Sequence, residues 1–91
     1  MAYLKPSTDL TNYTTIKISG YVVGSQDRYF GVWNKVPQEY EASSSLVTKV
    51  VMSGGTTPSS YTIDVSKLSG SYYFAPQYAV NDTIIYDLRL V

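Results

Sequence analysis

The residues that could do chemistry are few, and their types narrow what that chemistry is. The 91-residue chain contains neither His nor Cys. That removes Ser-His-Asp and Cys-His nucleophile pairs, the side chain best suited to proton transfer near neutral pH, and the usual zinc sites. Carboxylates can catalyse alone, but glycoside hydrolysis needs two of them held ~5–5.5 or ~6.5–9.5 Å apart across a cleft. The pool is Asp27, Glu39, Glu41, Asp64, Asp82 and Asp87. Glu39 and Glu41 fall on an irregular segment, Asp64 sits in a corner that accounts for it structurally, and Asp87 has Arg89 two positions away on an outward face. No catalytic residue is assigned, and the chain is expected not to be an enzyme. Asp27, Asn81 and Asp82 are too scattered for a calcium cluster, so neither metal nor cofactor is expected.

Binding chemistry has more to work with, because Tyr alone occurs 10 times. Aromatic rings cover the apolar C–H faces of sugars at low entropic cost, while amides, carboxylates and Arg satisfy the hydroxyls. Tyr29 and Trp33 are four apart on one extended run, hence on one face and about 13 Å apart at the usual rise. Asp27, Arg28 and Asn34 flank them, and Tyr40 on the following irregular segment could join them. The alternative makes Trp33, the single tryptophan, the anchor of the core; Tyr29 then turns inward with it and Phe30 is left outside. A second candidate patch is Tyr73, Gln77, Tyr78 and Asn81, whose alternative is ordinary surface tyrosine on a sheet.

Lys+Arg and Asp+Glu both number 7, so the formal net charge is zero. Nucleic-acid affinity comes largely from neutralising phosphates with basic residues, and an anionic membrane makes the same demand; neither partner is expected. No apolar run approaches the ~20 residues that span a bilayer, and Met1-Ala2-Tyr3-Leu4-Lys5-Pro6 lacks a basic-then-apolar signal pattern.

The elements that must position these residues are strands. Tyr, Thr, Val and Ile suit a pleated, half-exposed surface, and no segment carries a helical period. Residues 61–76 form the organising unit. Tyr61, Ile63 and Val65 alternate with Thr62, Asp64 and Ser66; a corner of Ser, Lys and Gly follows, with Gly70 free to take a positive φ; Tyr72 and Phe74 then oppose Tyr73 and Ala75, and Pro76 ends the ladder. In residues 14–23, Ile16, Ile18, Gly20 and Val22 oppose Thr15, Lys17, Ser19 and Tyr21, and Gly20 signals a bulge. A polar turn over residues 24–28 predicts that residues 29–34 form the hairpin partner, with Phe30 and Val32 on one face and Tyr29 and Trp33 on the other. Residues 35–45 read as a long loop, either a binding element or a connection between sheets. Residues 46–52 have Val on both faces and are expected to form a central strand, with Leu46, Thr48, Val50 and Met52 sharing a side. In residues 83–91, Ile84, Tyr86, Leu88 and Leu90 are expected on one face, opposite Ile85, Asp87, Arg89 and Val91. Six or seven short strands with turn signals every ~8–12 residues predict one all-β domain over residues 1–91, a jelly-roll-like antiparallel β-sandwich. Asp9-Leu10-Thr11 echoes Asp64-Val65-Ser66, and in each the Asp and hydroxyl can bond nearby amides and hold a corner.

At these pieces, residues 9–18, 63–73 and 85–90, the chain resembles the small jelly-roll domains of tail and receptor-binding proteins of bacteriophages, which are similar to carbohydrate-binding modules. They cover about a third of the chain. The resemblance implies a virion or extracellular location, cell-surface polysaccharide as partner, and assembly as a homotrimer or with other tail proteins. It leaves two functions open: a non-catalytic module recognising host saccharide, and a structural virion domain that trimerises or packs without touching glycan. The family carries one or two strands before its Asp-Leu-Thr corner, where this chain has only residues 1–8. The resemblance therefore implies either a chain trimmed at its N-terminus or an edge covered by a neighbouring subunit.

Overall fold

The computed structural model describes residues 7–35, 45–55, 57–77 and 82–91, and all of their regular structure is strand. Seven strands run in order: β1 (Thr8–Asp9), β2 (Thr15–Val22), β3 (Arg28–Trp33), β4 (Leu46–Met52), β5 (Ser59–Asp64), β6 (Ser71–Pro76) and β7 (Thr83–Leu90). They form two antiparallel sheets, one of order β1-β6-β3-β4 and one of order β5-β2-β7, packed as a β-sandwich. The expected all-β sandwich is thus present.

The pairing is nested. β3 pairs with β4, β2 with β5 and β1 with β6, so the chain behaves as one long antiparallel hairpin rolled up on itself. Rolling adds the lateral pairs β2 with β7 and β3 with β6. Only the β3–β4 connection stays within a sheet; every other one crosses between the two. Two expectations change accordingly. Residues 29–34 are not the hairpin partner of β2, because β2 is the centre of its sheet and both its edges are taken, by β5 and β7. The segment over residues 35–45 does not link the sheets; it joins adjacent strands of one.

The core lies between the sheets. Leu10, Ile16, Ile18, Val22, Phe30, Val32, Met52, Ile63, Val65 and Phe74 are buried there, with Val50, Tyr61, Leu68, Tyr72, Ile85, Leu88 and Leu90 packed half-buried around them. Alternation explains most of this set, since every second residue of β2, β3 and β5 points inward. Two bulges break it. Between β3 and β4 the register slips so that Val32 faces Thr48 but Trp33 faces Leu46; Val47 is the extra residue, and Leu46 moves to the face of Trp33. Between β2 and β7, Ser19 faces Asp87 but Gly20 faces Ile85, so Tyr86 is the extra residue. Ile85, Leu88 and Leu90 consequently share the core face, while Tyr86 is 62% exposed, contrary to the unbroken alternation expected for this strand. Gly20 permits the bulge: a Cβ there would run into the Ile84 carbonyl. β4 is an edge strand rather than a central one, with Val51 54% exposed on its outer face.

The two echoing corners have matching construction. The Asp9 Oδ1 accepts from the Thr11 amide (2.9 Å) and hydroxyl (2.6 Å), and the Asp64 Oδ1 accepts from the Ser66 amide (2.9 Å). Leu10 and Val65, the apolar residues between, are fully buried. Each then closes a turn, Tyr13 N–H to Leu10 C=O and Leu68 N–H to Val65 C=O, both 3.0 Å. The corners are tied together as well: the Leu10 amide donates to the Gly70 carbonyl, and the Gly70 amide donates to the Thr11 hydroxyl. Gly70 has φ +90°, the left-handed conformation anticipated for it.

Candidate functional site

Tyr29 and Trp33 do share a face, the outer face of the four-stranded sheet, and Phe30 lies opposite in the core as the alternation requires. Their rings are not an open platform. The centroids are 6.1 Å apart rather than the ~13 Å of the backbone rise, because the rings lean together over Gly31. Trp33 is only 1% exposed, and its Nε1–H donates to the Ala75 carbonyl at 3.0 Å. It is a buried ring outside the inter-sheet core, so neither expectation for it holds: it anchors a layer of its own, with Phe30 still inside. Three features make room for this. Gly31 has no side chain beneath the indole, Ala75 is small, and the bulge at Val47 brings Leu46 alongside. The Lys49 Nζ sits 4.9 Å from the Tyr29 ring centroid, so that ring is engaged as well.

The polar neighbours of this pair are occupied by the fold. Gln77 Oε1 accepts from the Tyr29 amide at 3.1 Å, continuing the β3–β6 ladder one step past Pro76, which has no amide hydrogen to continue it. Arg28 Nε bonds Asp82 Oδ2 at 3.2 Å, and Asp27 Oδ1 accepts from the Gly54 amide at 3.0 Å. Asn34 is exposed and donates its amide to the Ser45 carbonyl; Tyr73 is half-buried on β6, opposite Trp33 in register. Tyr40, Tyr78 and Asn81 lie outside the described residues.

The opposite surface, the outer face of the three-stranded sheet, is open. The outward residues of β2 are Thr15, Lys17, Ser19 and Tyr21, and the last three define three rows across the sheet. Lys17 is flanked in register by Thr62 and Arg89, and Ser19 by Ser60 and Asp87. Beyond them Tyr21 meets the bulged Tyr86, with ring centroids 5.9 Å apart. A groove of about 380 Å³ runs over Lys17, Ser19, Ser60, Thr62, Asp87 and Arg89. Ser19 and Ser60 hydroxyls lie 3.3 Å apart, and Arg89 Nε holds Asp87 Oδ2 at 2.7 Å with both side chains well exposed. The Tyr21 hydroxyl beside it raises the Tyr86 phenol above its ordinary value. One face therefore carries a cationic row, a hydroxyl and carboxylate row, and an aromatic pair, within the reach of a short oligosaccharide.

Alternation in residues 14–23 already pointed to Lys17, Ser19 and Tyr21 as an outward set. Tyr86 was not legible, because an unbroken period placed it inside; the signal that could have exposed it was Gly20, whose missing Cβ marks where the neighbouring strand must bulge. As for catalysis, Asp27, Asp64, Asp82 and Asp87 are separately engaged with Gly54, Ser66, Arg28 and Arg89. Glu39 and Glu41 lie outside the described residues, among which no three potential metal ligands gather. No family model, curated protein or solved structure matches the chain.

Proposed function

We propose that this domain is a non-catalytic binding module that recognises cell-surface saccharide, of the kind carried by phage tail proteins, and that it binds through the outer face of the three-stranded sheet. The observation that carries the reading is the open groove over Lys17, Ser19, Ser60, Thr62, Asp87 and Arg89, with the half-buried Tyr21 and the exposed Tyr86 paired in the next row of the same face. Hydroxyls, a carboxylate and guanidinium and ammonium groups supply the hydrogen bonding that sugar hydroxyls demand, and the tyrosines supply the apolar ring faces. The location differs from the Tyr29/Trp33 platform, whose rings are taken up by packing. The nested strand order supports the jelly-roll resemblance on which the phage-tail part of the proposal rests.

The test is a calorimetric titration with a panel of purified bacterial cell-wall polysaccharides, repeated with Tyr86→Ala and Lys17→Ala. Saturable binding to one polysaccharide, weakened by both substitutions, is the expected result. Binding that both variants retain in full would move the site elsewhere, and no binding to any member of the panel would favour the structural reading. That second reading, a virion domain that packs against other proteins, draws its support from one specific observation: β7, the last strand of the small sheet, pairs on one side only among the described residues.

A further inference from the structure

The groove on the three-stranded sheet carries an excess of positive charge, and the excess sits in one row. Lys17 and Arg89 face each other across β2 and β7. Thr15 and Val91, two steps along, exchange both backbone hydrogen bonds, Thr15 N–H to Val91 C=O at 3.2 Å and Val91 N–H to Thr15 C=O at 2.9 Å. Antiparallel ladders alternate, so Lys17 and Arg89 are again a hydrogen-bonded pair, with Cα atoms about 5.5 Å apart. Like charges placed directly opposite on neighbouring strands repel. Among the described residues Asp87 is the only carboxylate lining the groove, and its Oδ2 is held by Arg89 Nε at 2.7 Å. Asp64, one row further along β5, is bonded to the Ser66 amide. Lys17 forms no ion pair among the described residues. Two cations thus stand against one anion in this groove, although basic and acidic residues balance at 7 each over the whole chain.

The donors left over describe what would neutralise the row. The Arg89 side chain is 74% exposed and engages Asp87 through Nε, which leaves its terminal Nη groups for a planar anion. Lys17 adds three donors. Thr62 stands on the other side of Lys17, and the Val65 N–H to Thr14 C=O bond sets the alternation there, making Lys17 and Thr62 the closer, non-hydrogen-bonded kind of pair at about 4.5 Å. The neighbouring rows specify the rest of the ligand. The next row, ~7 Å along the strands, holds Ser19, Ser60 and Asp87; its carboxylate offers only acceptors, which call for a hydroxyl and repel a second carboxylate. The row beyond holds Tyr21 and Tyr86, which call for the face of a ring. A polyol phosphate chain supplies the charge but no ring. A ring that carries its own carboxylate, joined to a neutral sugar, answers all three rows.

Resting on the saccharide reading of this face, we propose that the groove selects an acidic polysaccharide, with the carboxylate of a uronic acid ring held between Lys17 and Arg89. The neutral sugar next to it hydrogen-bonds the row of Ser19, Ser60 and Asp87 and reaches Tyr86. Bound Asp87 already fixes the Arg89 guanidinium, so less side-chain freedom is lost when the Nη groups take the sugar acid. The carboxylate also removes the repulsion between the two opposed cations.

The test is a calorimetric titration with three uronate polymers, hyaluronate, alginate and polygalacturonate, each beside its carboxyl-reduced form, together with a neutral β-glucan and poly(glycerol phosphate). The expected result is saturable binding to a uronate polymer that carboxyl reduction weakens about tenfold or more. Lys17→Gln keeps a hydrogen-bonding side chain at an exposed position but removes the charge, and it should bring the ratio between the two forms close to one. Equal binding of a polymer and its reduced form, or a preference for the β-glucan or for poly(glycerol phosphate), would overturn this inference and leave the saccharide reading standing. Absence of binding to every polymer would overturn both. Amide chemical shifts give a second readout that needs no polymer: sodium glucuronate should move Lys17, Thr62 and Arg89, and glucose should not. The same shifts with sodium acetate would show an adventitious anion only, and would also overturn the inference.

Discussion

The two outer faces of the sandwich start from similar material and end differently. Each has a pair of aromatic rings about 6 Å apart, a lysine, and a bulge in the neighbouring strand. On the four-stranded sheet the bulge brings an apolar side chain, Leu46, toward the rings, and Gly31 lets the indole lie against the backbone. The face closes into a small second core. On the three-stranded sheet the bulge falls on Tyr86 itself and lifts it outward, and its neighbours in register are Ser, Thr, Asp, Lys and Arg. That face stays open. Counting aromatics therefore does not locate a binding surface; what decides is whether a glycine lies beneath the ring or beneath the bulge.

The comparison is broken most directly at Trp33. An exposed platform ring could be removed with little loss of stability, whereas a buried ring with a bonded Nε1–H cannot. Trp33→Ala should cost about 3–5 kcal/mol in chemical denaturation, a large share of what a domain of this size possesses. The unaltered chain should emit in the blue, and quenchers should reach its indole poorly. A loss under about 1 kcal/mol would mean that the ring is accessible and would return the Tyr29/Trp33 pair to candidacy.

The two supporting glycines come next. Gly20→Ala drives a methyl into the Ile84 carbonyl, a backbone atom that cannot step aside without undoing the bulge. The expected cost is near or above ~3 kcal/mol, accompanied by a changed Tyr86 resonance. Gly31→Ala meets side chains instead, Leu46 Cδ1 at 2.5 Å and Trp33 Nε1 at 3.0 Å. These yield more readily, so about 1–3 kcal/mol is expected and the inter-sheet core should be untouched. If the two substitutions cost the same, the distinction between a backbone-limited and a side-chain-limited face would be lost.

Tyr86→Ala sharpens the comparison from the other side. Its ring is 62% exposed, so stability should change by no more than ~0.5 kcal/mol, while affinity for a bound polysaccharide should fall about tenfold. The same substitution at Tyr29 should reverse the pattern, costing stability and sparing affinity.

How far the residues alone revealed these faces follows from what periodicity can and cannot encode. The sandwich, the inward sets of β2 and β5, the opposition of Phe30 to Trp33, the turn at Gly70 and the Asp9 and Asp64 corners were all legible, because each is local or rests on a period of two. The pairing partners of β2 were not: a polar turn such as residues 24–28 serves equally for a hairpin and for a crossing, and only the occupation of both β2 edges decides. The faces of Leu46 and Tyr86 were not either, since a bulge on one strand is dictated by the register of its neighbour. The candidate site moved for that reason. Lys17, Ser19 and Tyr21 were readable as an outward set, but the reading that joined them to Asp87, Arg89 and Tyr86 needed the pairing.

The smallest effect concerns what holds the two faces to each other. The corners at Asp9 and Asp64 carry the chain from one sheet to the other, and both carboxyl groups lie below their ordinary value of 3.8. For Asp9 the Thr11 hydroxyl is the larger cause and the Thr11 amide the next; for Asp64 it is the Ser66 hydroxyl and then the amide. A group whose value is depressed on folding contributes stability that is complete above the unfolded value and disappears as pH falls through the folded one. Urea midpoints should therefore be level from neutral pH down to about pH 5 and decline below 3.8. Both carboxylates are at the surface, where solvent screens them, so the decline they cause is modest. The double variant Asp9→Asn/Asp64→Asn keeps an oxygen acceptor at each corner but cannot titrate, and its midpoint should fall less steeply over the same interval. Equal slopes would assign the acid sensitivity to other carboxylates. Thr11→Ala separates the two corners further: it removes an Asp9 donor and the acceptor of the Gly70 amide together, so it should lower the midpoint even at neutral pH, where Ser66→Ala, lacking that second bond, should lower it less.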